Sequence, residues 1–361
     1  MLIIGGFAHY KVIEKEAMIL GIDVGGANTK VATSDGSFVR LIYAPLWRNR
    51  ATIYDVLSGV KRRLEAEGKG IEAVGVVMTG ELCGCFNTKR EGVLYIKNAV
   101  TDMFENAKFF DSYCTFKNNS YVDKDPLSFA ATNWLASAKF ISREYKNVIF
   151  VDIGSTTTDV IPIVEGKVKA KRTDFERLNS GELIYSGVLR TGVPHLLKRV
   201  KVRGEEYGTS SELFAISADA YLVLGDITND DHSCESPNGY SFSEKDEGKS
   251  IDKAMRRLAR MVCSDLEEIG KEGAVSIAEQ VKEAQVEGLI DSMKRIKKKY
   301  GLKKVVSAGI GDFIVKEAAD SLNIEFLSLS FFYGKKVSAV FPAYAVAKLF
   351  QNRFDETKED S

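Results

Sequence analysis

Two stretches of this 361-residue chain carry the same arrangement of residues that can do chemistry. "ILGIDVGGANTK", Ile19 to Lys30, and "FVDIGSTTTDVI", Phe150 to Ile161, each lead from an apolar segment into an aspartate and then a glycine. Small hydroxyl or amide residues follow, and then a charge seven positions after the aspartate. Turns made of Gly25, Gly26, Asn28 and Thr29, and of Gly154, Ser155, Thr156, Thr157 and Thr158, let backbone amides approach an anion closely, because no bulky side chain intervenes. Two such turns facing each other would grip a phosphate chain from both sides. Asp23 and Asp152, each ending a strand, are placed to hold a hydrated Mg²⁺ that bridges phosphate oxygens, with Asp159 a further candidate ligand. Lys30 adds a positive charge to the same place.

Other phosphate-binding designs fit less well. A Walker A loop needs G-x-x-x-x-G-K-[ST], which is absent, and both that loop and the Rossmann loop open into a helix. Here the first turn opens into "VATSDGSFVRLIYAPL" and the second into "VIPIVEGKVKAKRTD", each of which reads as strand, turn, strand. Either turn alone could be an ordinary hairpin. The repeat of the whole unit, with the same aspartate-to-charge spacing, argues for a duplicated phosphate grip.

The elements that must position these turns follow from periodicity. Ile53, Val56, Leu57, Val60 and Leu64 recur at helical spacing, "AVGVVMTG" is a buried strand, and a helix is expected around "LSFAATNWLASAKFI". After the second turn, helices are expected over "SELFAISADAYLVLG", "SIDKAMRRLARMVCSDLEEIG" and "AVSIAEQVKEAQVEGLIDSMKRIKKKYG". "KKVVSAGIGDFIVKEAADSL" gives strand, glycine turn and helix, "IEFLSL" a strand, and "VFPAYAVAKLF" a last helix. The fold class is α/β with duplicated domains and a cleft between them. The expected division is an N-terminal extension over 1–17 ahead of a native start at Met18, a first domain over 18–145 joined by the helix 339–350, and a second over 146–338 with a helical insertion at 181–300. A flexible tail is expected over 351–361.

Composition narrows the partners. Acidic and basic residues balance at 50 each, which gives no reason to expect nucleic acid or an anionic membrane. Hydrophobic content of 45% and charged content of 28% suit a globular protein, and no apolar run reaches the length of a membrane span. Five cysteines and three histidines show no metal-finger spacing, so reduced thiols and a cytoplasmic location are expected. Small molecules are the expected partners. Nothing in the sequence sets the oligomeric state.

The doubled turns resemble those of the actin, sugar kinase and Hsp70 superfamily, in which two ribonuclease H-like domains clasp a phosphorylated ligand. "VSAGIGDFIVKEAA", Val306 to Ala319, resembles that superfamily's later strand-turn-helix loop, which implies that Gly309 and Gly311 face the ligand. A closer resemblance rests on "ILGIDVGGANTK", "MTGELCGCF" with "REGV", "VDIGSTTTDVIPI", "RTDFERLNSGELIYSGVLRTGVP", "SELFAISADAYLVLGD" and "RRLARMVCSDLEE". Together these are similar to the hydantoinase A-like family linked to tetrahydromethanopterin one-carbon metabolism. That resemblance implies an Mg²⁺-dependent transferase of methanofuran assembly. It would join 5-(aminomethyl)furan-3-ylmethyl diphosphate to the phenol oxygen of γ-glutamyltyramine and release pyrophosphate. Gly84 departs from the pattern, standing where aspartate is expected.

A furan-methyl diphosphate ionises readily because the ring spreads the developing cation, so the protein must stabilise the leaving pyrophosphate and exclude water. The phenol, with an ordinary pKa of about 10, needs a proton acceptor. Glu81, just past the strand "AVGVVM", is the candidate base, against the alternative of a surface carboxylate. Arg172, Asp174, Glu182 and Arg190 are expected to face substrate, against the alternative of a salt-bridged surface. Asp230, Asp231, His232 and Cys234 read as a solvated loop, and His195 as a packing residue. Cys83 and Cys85 flank the proposed site with no spacing that makes either a nucleophile. Two other readings stay open on the residues alone: an ATP-dependent kinase or oxoprolinase-like enzyme, and a nucleotide-gated regulatory protein.

Overall fold

A computed structural model describes residues 17–232 and 249–359. Residues 1–16, within the expected extension, and most of the polar stretch holding Cys234 lie outside the described residues.

The first sheet is built from β1 (Ile19–Val24), β2 (Asn28–Thr33), β3 (Val39–Tyr43), β4 (Ala73–Met78), β5 (Ala107–Phe110) and β6 (Phe116–Lys117). Their order is β3-β2-β1-β4-β5-β6. β1 and β4 are buried along their whole lengths, which is why they read as unbroken apolar runs rather than alternating ones. Helix α1 (Thr52–Ala66) buries the stripe Ile53, Val56, Leu57, Val60 and Leu64 and carries the chain to β4, which lies parallel to β1. Next come α2 (Lys89–Met103), α3 (Asn119–Lys124) and α4 (Asn133–Glu144). The helix expected around "LSFAATNWLASAKFI" is broken before α4, where Ala131 adopts φ 51°, a strained value for a residue with a side chain.

The second sheet contains β7 (Val148–Ile153), β8 (Thr158–Val164), β9 (Lys167–Val168) and, after α5 (Asp174–Ser180), β10 (Leu183–Ile184). A helical excursion follows: α6 (Val193–Leu196), the ribbon of β11 (Arg199–Val202) and β12 (Glu205–Gly208), then α7 (Ser217–Leu224), α8 (Ile251–Arg260) and α9 (Leu266–Tyr300). Two of these helices are shorter than the sequence suggests. The segment 211–225 is helical only over α7, and 250–270 divides between α8 and α9, with Cys263 at φ 55° in the break and Gly270 kinking α9 at φ 70°. The chain then supplies β13 (Lys304–Gly309), α10 (Asp312–Ser321), β14 (Glu325–Ser328), α11 (Leu329–Tyr333) and α12 (Lys335–Ala339). The order is β10-β8-β7-β13-β14, with β9 beside β8.

The two sheets repeat one plan, an antiparallel hairpin followed by two parallel strands: β1/β2 then β4 and β5, β7/β8 then β13 and β14. The register explains the shared seven-residue spacing. Asp23 lies directly across from Lys30, and Asp152 directly across from Asp159, so each pair projects from one face of its hairpin. The last helix, α13 (Phe341–Glu359), returns to the first sheet and continues through residues expected to fray. It fits so closely that a Cβ on Gly21 would lie 3.0 Å from the Ala347 Cβ, and one on Gly75 3.2 Å from the Val346 carbonyl oxygen.

Candidate active site

The two hairpin turns meet. Asn28 Nδ2 of the first donates to Ser155 Oγ of the second at 3.3 Å, and between them opens a cleft of about 350 Å³. The first turn closes through the Gly25 amide on the Asn28 carbonyl and the second through the Gly154 amide on the Thr157 carbonyl, both at 3.0 Å, so the repeat extends to the turns themselves. Gly25, Gly26, Asn28, Lys30, Gly154, Ser155, Thr156 and Thr157 line the cleft, as do Asp23, Asp159, Glu81, Asp174 and Arg190.

Other expected site residues do not line it. Thr29 is fully buried, and the Thr158 hydroxyl donates to the Ser186 carbonyl at 2.7 Å. The Arg172 guanidinium stacks 4.5 Å from the Tyr113 ring centre, and Glu182 accepts from the Lys171 amide at 2.7 Å. Gly309 and Gly311 are small because of packing: an added Cβ would lie 2.6 Å from Asp152 Oδ1 or from Ile153, and Val188 also closes over Gly311. His195 is exposed rather than packed, and His232 is buried rather than solvated.

The carboxylates at the floor repel one another. Burial raises the Asp23 pKa against the pull of Lys30, whose ammonium sits 3.4 Å from Asp23 Oδ2. Burial likewise pushes Asp152 up to about 7, with Lys30 opposing and Asp159 and Asp23 adding to the rise. Burial lowers the Lys30 pKa, but Asp23 and Asp152 outweigh it and the net shift is upward, so the ammonium keeps its charge. Asp159 is committed elsewhere, in a very short contact with Arg177. That contact occupies its Oδ1, leaving Oδ2 as the oxygen a metal could meet. Asp152 lies beside Lys30 rather than in the cleft wall.

For Mg²⁺ the fit is that of a water-rich ion. Among the described residues no group of three His, Cys, Asp or Glu is placed to enclose a metal. Asp23 Oδ1 is buried with no close hydrogen-bond partner, although the Asn133 side chain lies near enough to pull the carboxyl's pKa down. One or two carboxylates, completed by water and phosphate oxygens, is the coordination Mg²⁺ prefers. Asp23 would be the first ligand and Asp152 the second.

Glu81 sits on the turn Gly80–Leu82 that follows β4 and is 2% exposed. Burial pushes its carboxyl up to about 7, its own backbone amide pulls it down, and Asp174 nearby raises it further. Its Oε2 has no partner. Gly92 of α2 makes this position possible, since a Cβ there would come within 2.6 Å of the Glu81 Cα. Burial likewise holds the Cys83 thiol up at about 11, which keeps it protonated and unreactive at neutral pH.

Several cleft residues have no local signal in the sequence. Trp47, Thr79, Lys89, Asn133, Trp134, Arg177 and Tyr185 arrive from separate elements. Both tryptophans of the chain are among them, each with an arginine stacked at 4.0 Å: Arg190 on Trp47 and Arg177 on Trp134. Arg177 is fully buried, its two terminal nitrogens bonded to Asp159, to Asp174 at 2.8 Å and to the Glu182 carbonyl at 3.2 Å, while its Nε has no partner. The only advance hint of Arg177 was the polar density of its stretch.

A family model for hydantoinase/oxoprolinase matches residues 72–353. The chain belongs to the hydantoinase/oxoprolinase family. A relative within reach is the (4-{4-[2-(gamma-L-glutamylamino)ethyl]phenoxymethyl}furan-2-yl)methanamine synthase of Methanocaldococcus jannaschii, 38% identical over 94% of this chain and 99% of that protein. A synthase of the same name from Methanococcus vannielii is 37% identical over 60% of this chain and 97% of its own length. In three dimensions this hydantoinase/oxoprolinase member matches the nucleotide-free acetone carboxylase with a TM-score of 0.54 at 12% identity, over 92% of this chain and 70% of that one. That likeness bears on the fold, which is the duplicated actin-like one. No described helix of this family member is long and apolar enough to cross a membrane.

Proposed function

We propose that the protein condenses 5-(aminomethyl)furan-3-ylmethyl diphosphate with the phenol of γ-glutamyltyramine, giving the aryl ether core of methanofuran and pyrophosphate, in the cytoplasm. The observation that carries this reading is 38% identity over 94% of the chain to a synthase named for that phenoxymethylfuran product. Residues 18–145 with the helix 339–350 act as one lobe and 146–338 as the other, closing over the diphosphate.

In this reaction the bond between the furan methylene and the diphosphate oxygen breaks, and its electron pair leaves with pyrophosphate. A new bond forms from the phenol oxygen to the methylene, and the phenol proton passes to Glu81 Oε2. The turns Gly25–Asn28 and Gly154–Thr157 present backbone amides to the diphosphate, and Lys30 and Arg190 offset the charge that builds on it. Magnesium, when bound by Asp23 and Asp152, supplies further charge neutralisation for the leaving group. Glu81 suits the base because a carboxyl near 7 is about half ionised at neutral pH yet basic enough to accept a proton from a phenol that is losing it. Trp47 and Tyr185 give the cleft aromatic walls that shed water from the developing cation.

The ATP-dependent alternative would use the Gly309–Gly311 turn for adenosine. The deciding experiment is a mass-spectrometric assay with Mg²⁺ and both substrates, with and without ATP. Ether and pyrophosphate formed without ATP support the transferase; ATP consumed with no ether moves the protein to a kinase or oxoprolinase-like activity.

A further inference from the structure

The two tryptophan–arginine stacks look alike and are chemically opposite. Arg177 already has two carboxylates and a carbonyl. Arg190 makes no ion pair with a carboxylate among the described residues, and its Nη1 is buried in the cleft wall without a partner. A guanidinium held on a ring face and denied a carboxylate keeps its charge available for an incoming anion.

The attachments of the Arg190 stack matter as much as its charge. The Arg190 amide donates to the Ser155 carbonyl at 3.0 Å, so its guanidinium rides on the second glycine-rich turn. Next to Trp47, the Leu46 amide donates to the Gly26 carbonyl at 2.9 Å, so the indole rides on the first. The stack therefore ties one turn to the other, in parallel with the Asn28–Ser155 bond.

We propose that Trp47 is a positioning residue that orients Arg190 across the cleft, making the pair a pyrophosphate clamp in which the anion completes the guanidinium's unfilled donor set. This rests on the diphosphate reading above, with one ligand class, the inorganic pyrophosphate group shared by substrate and product. The Trp47 ring covers one face of the Arg190 guanidinium at 4.0 Å and leaves its edge for the anion.

The test uses inorganic pyrophosphate with Mg²⁺, measured by calorimetry and by tryptophan fluorescence, on the full-length protein and on Trp47→Leu, Trp47→Phe and Arg190→Lys. We expect Trp47→Leu to weaken pyrophosphate binding roughly tenfold and Trp47→Phe, which keeps a ring face, to recover most of that loss. Arg190→Lys, which keeps charge but loses the planar fork, should bind as weakly as Trp47→Leu. A melting curve matching the wild type for Trp47→Phe shows that the fold is intact. If the wild type binds pyrophosphate and Trp47→Leu binds it equally well, the clamp is refuted while the diphosphate reading stands. If the wild type itself does not bind pyrophosphate, both fall together.

Discussion

Replacing Glu81 with glutamine should make the protein slower and, at alkaline pH, more stable. The buried carboxyl rises from 4.5 to about 7, and at about 1.4 kcal/mol per unit this is about 3 kcal/mol of penalty on its ionised form. The sign follows from linkage: a carboxyl whose folded value lies above its unfolded value contributes stability that is full below about 4.5 and is lost as the pH rises to about 7. Glu81→Gln removes that loss. Denaturant unfolding at several pH values should show wild type and variant converging near pH 4.5 and separating by up to about 3 kcal/mol above pH 7. In turnover, kcat/KM of the wild type should fall tenfold per pH unit below about 7, and the variant should lose that limb together with roughly 10²–10⁴ in rate. A stability difference independent of pH would show that Glu81 is not a buried ionising group. An unchanged rate would remove it as the base.

Four further outcomes follow from the same geometry. Asp23→Asn should cut Mg²⁺-dependent turnover sharply and lower the melting temperature, since it also removes the carboxylate that faces the Lys30 ammonium at 3.4 Å; full activity at low Mg²⁺ would exclude Asp23 as a ligand. Arg177→Met should destabilise the protein by about 3–5 kcal/mol, because it leaves Asp159 and Asp174 facing each other without a cation, and adding Asp159→Asn should recover part of this in urea unfolding. Gly92→Ala should impair activity more than stability by pushing the Glu81 backbone out of place, read as a fall in kcat with a shifted acid limb. Gly84→Asp should leave the melting temperature unchanged, since nothing lies within 4 Å of a Cβ there, although the residue borders the cleft.

The turns were legible because their chemistry is local. An aspartate, a glycine and a charge at fixed spacing become a cross-strand pair in any tight hairpin, and Asp23 with Lys30 and Asp152 with Asp159 are such pairs. What the spacing could not say was that the second pair, acid on acid, draws Arg177 from α5 to compensate. Trp47, Trp134 and Arg190 come from three distant segments, and nothing in "APLWRNR" or "TNWLASA" announces an arginine over the ring. Gly309 and Gly311 illustrate the converse. A glycine turn signals that backbone must come close to something, and here β7 and Val188 lie that close. The breaks at Ala131 and Cys263 escaped notice because non-glycine residues in left-handed conformations are imposed by tertiary packing.

The return of α13 to the first sheet has a consequence for biosynthesis. β1 and β4 leave the ribosome early, but the helix that covers Gly21 and Gly75 is the last described element to be made. At roughly 5–20 residues per second, the stretch from Phe110 to Phe341 takes roughly 10 to 50 s to synthesise. Throughout that interval the face of the first sheet that carries Gly21 and Gly75 lacks the helix that covers it. The amino-terminal half of this protein is therefore the last to be completed, and its nascent chain is a natural client for chaperones.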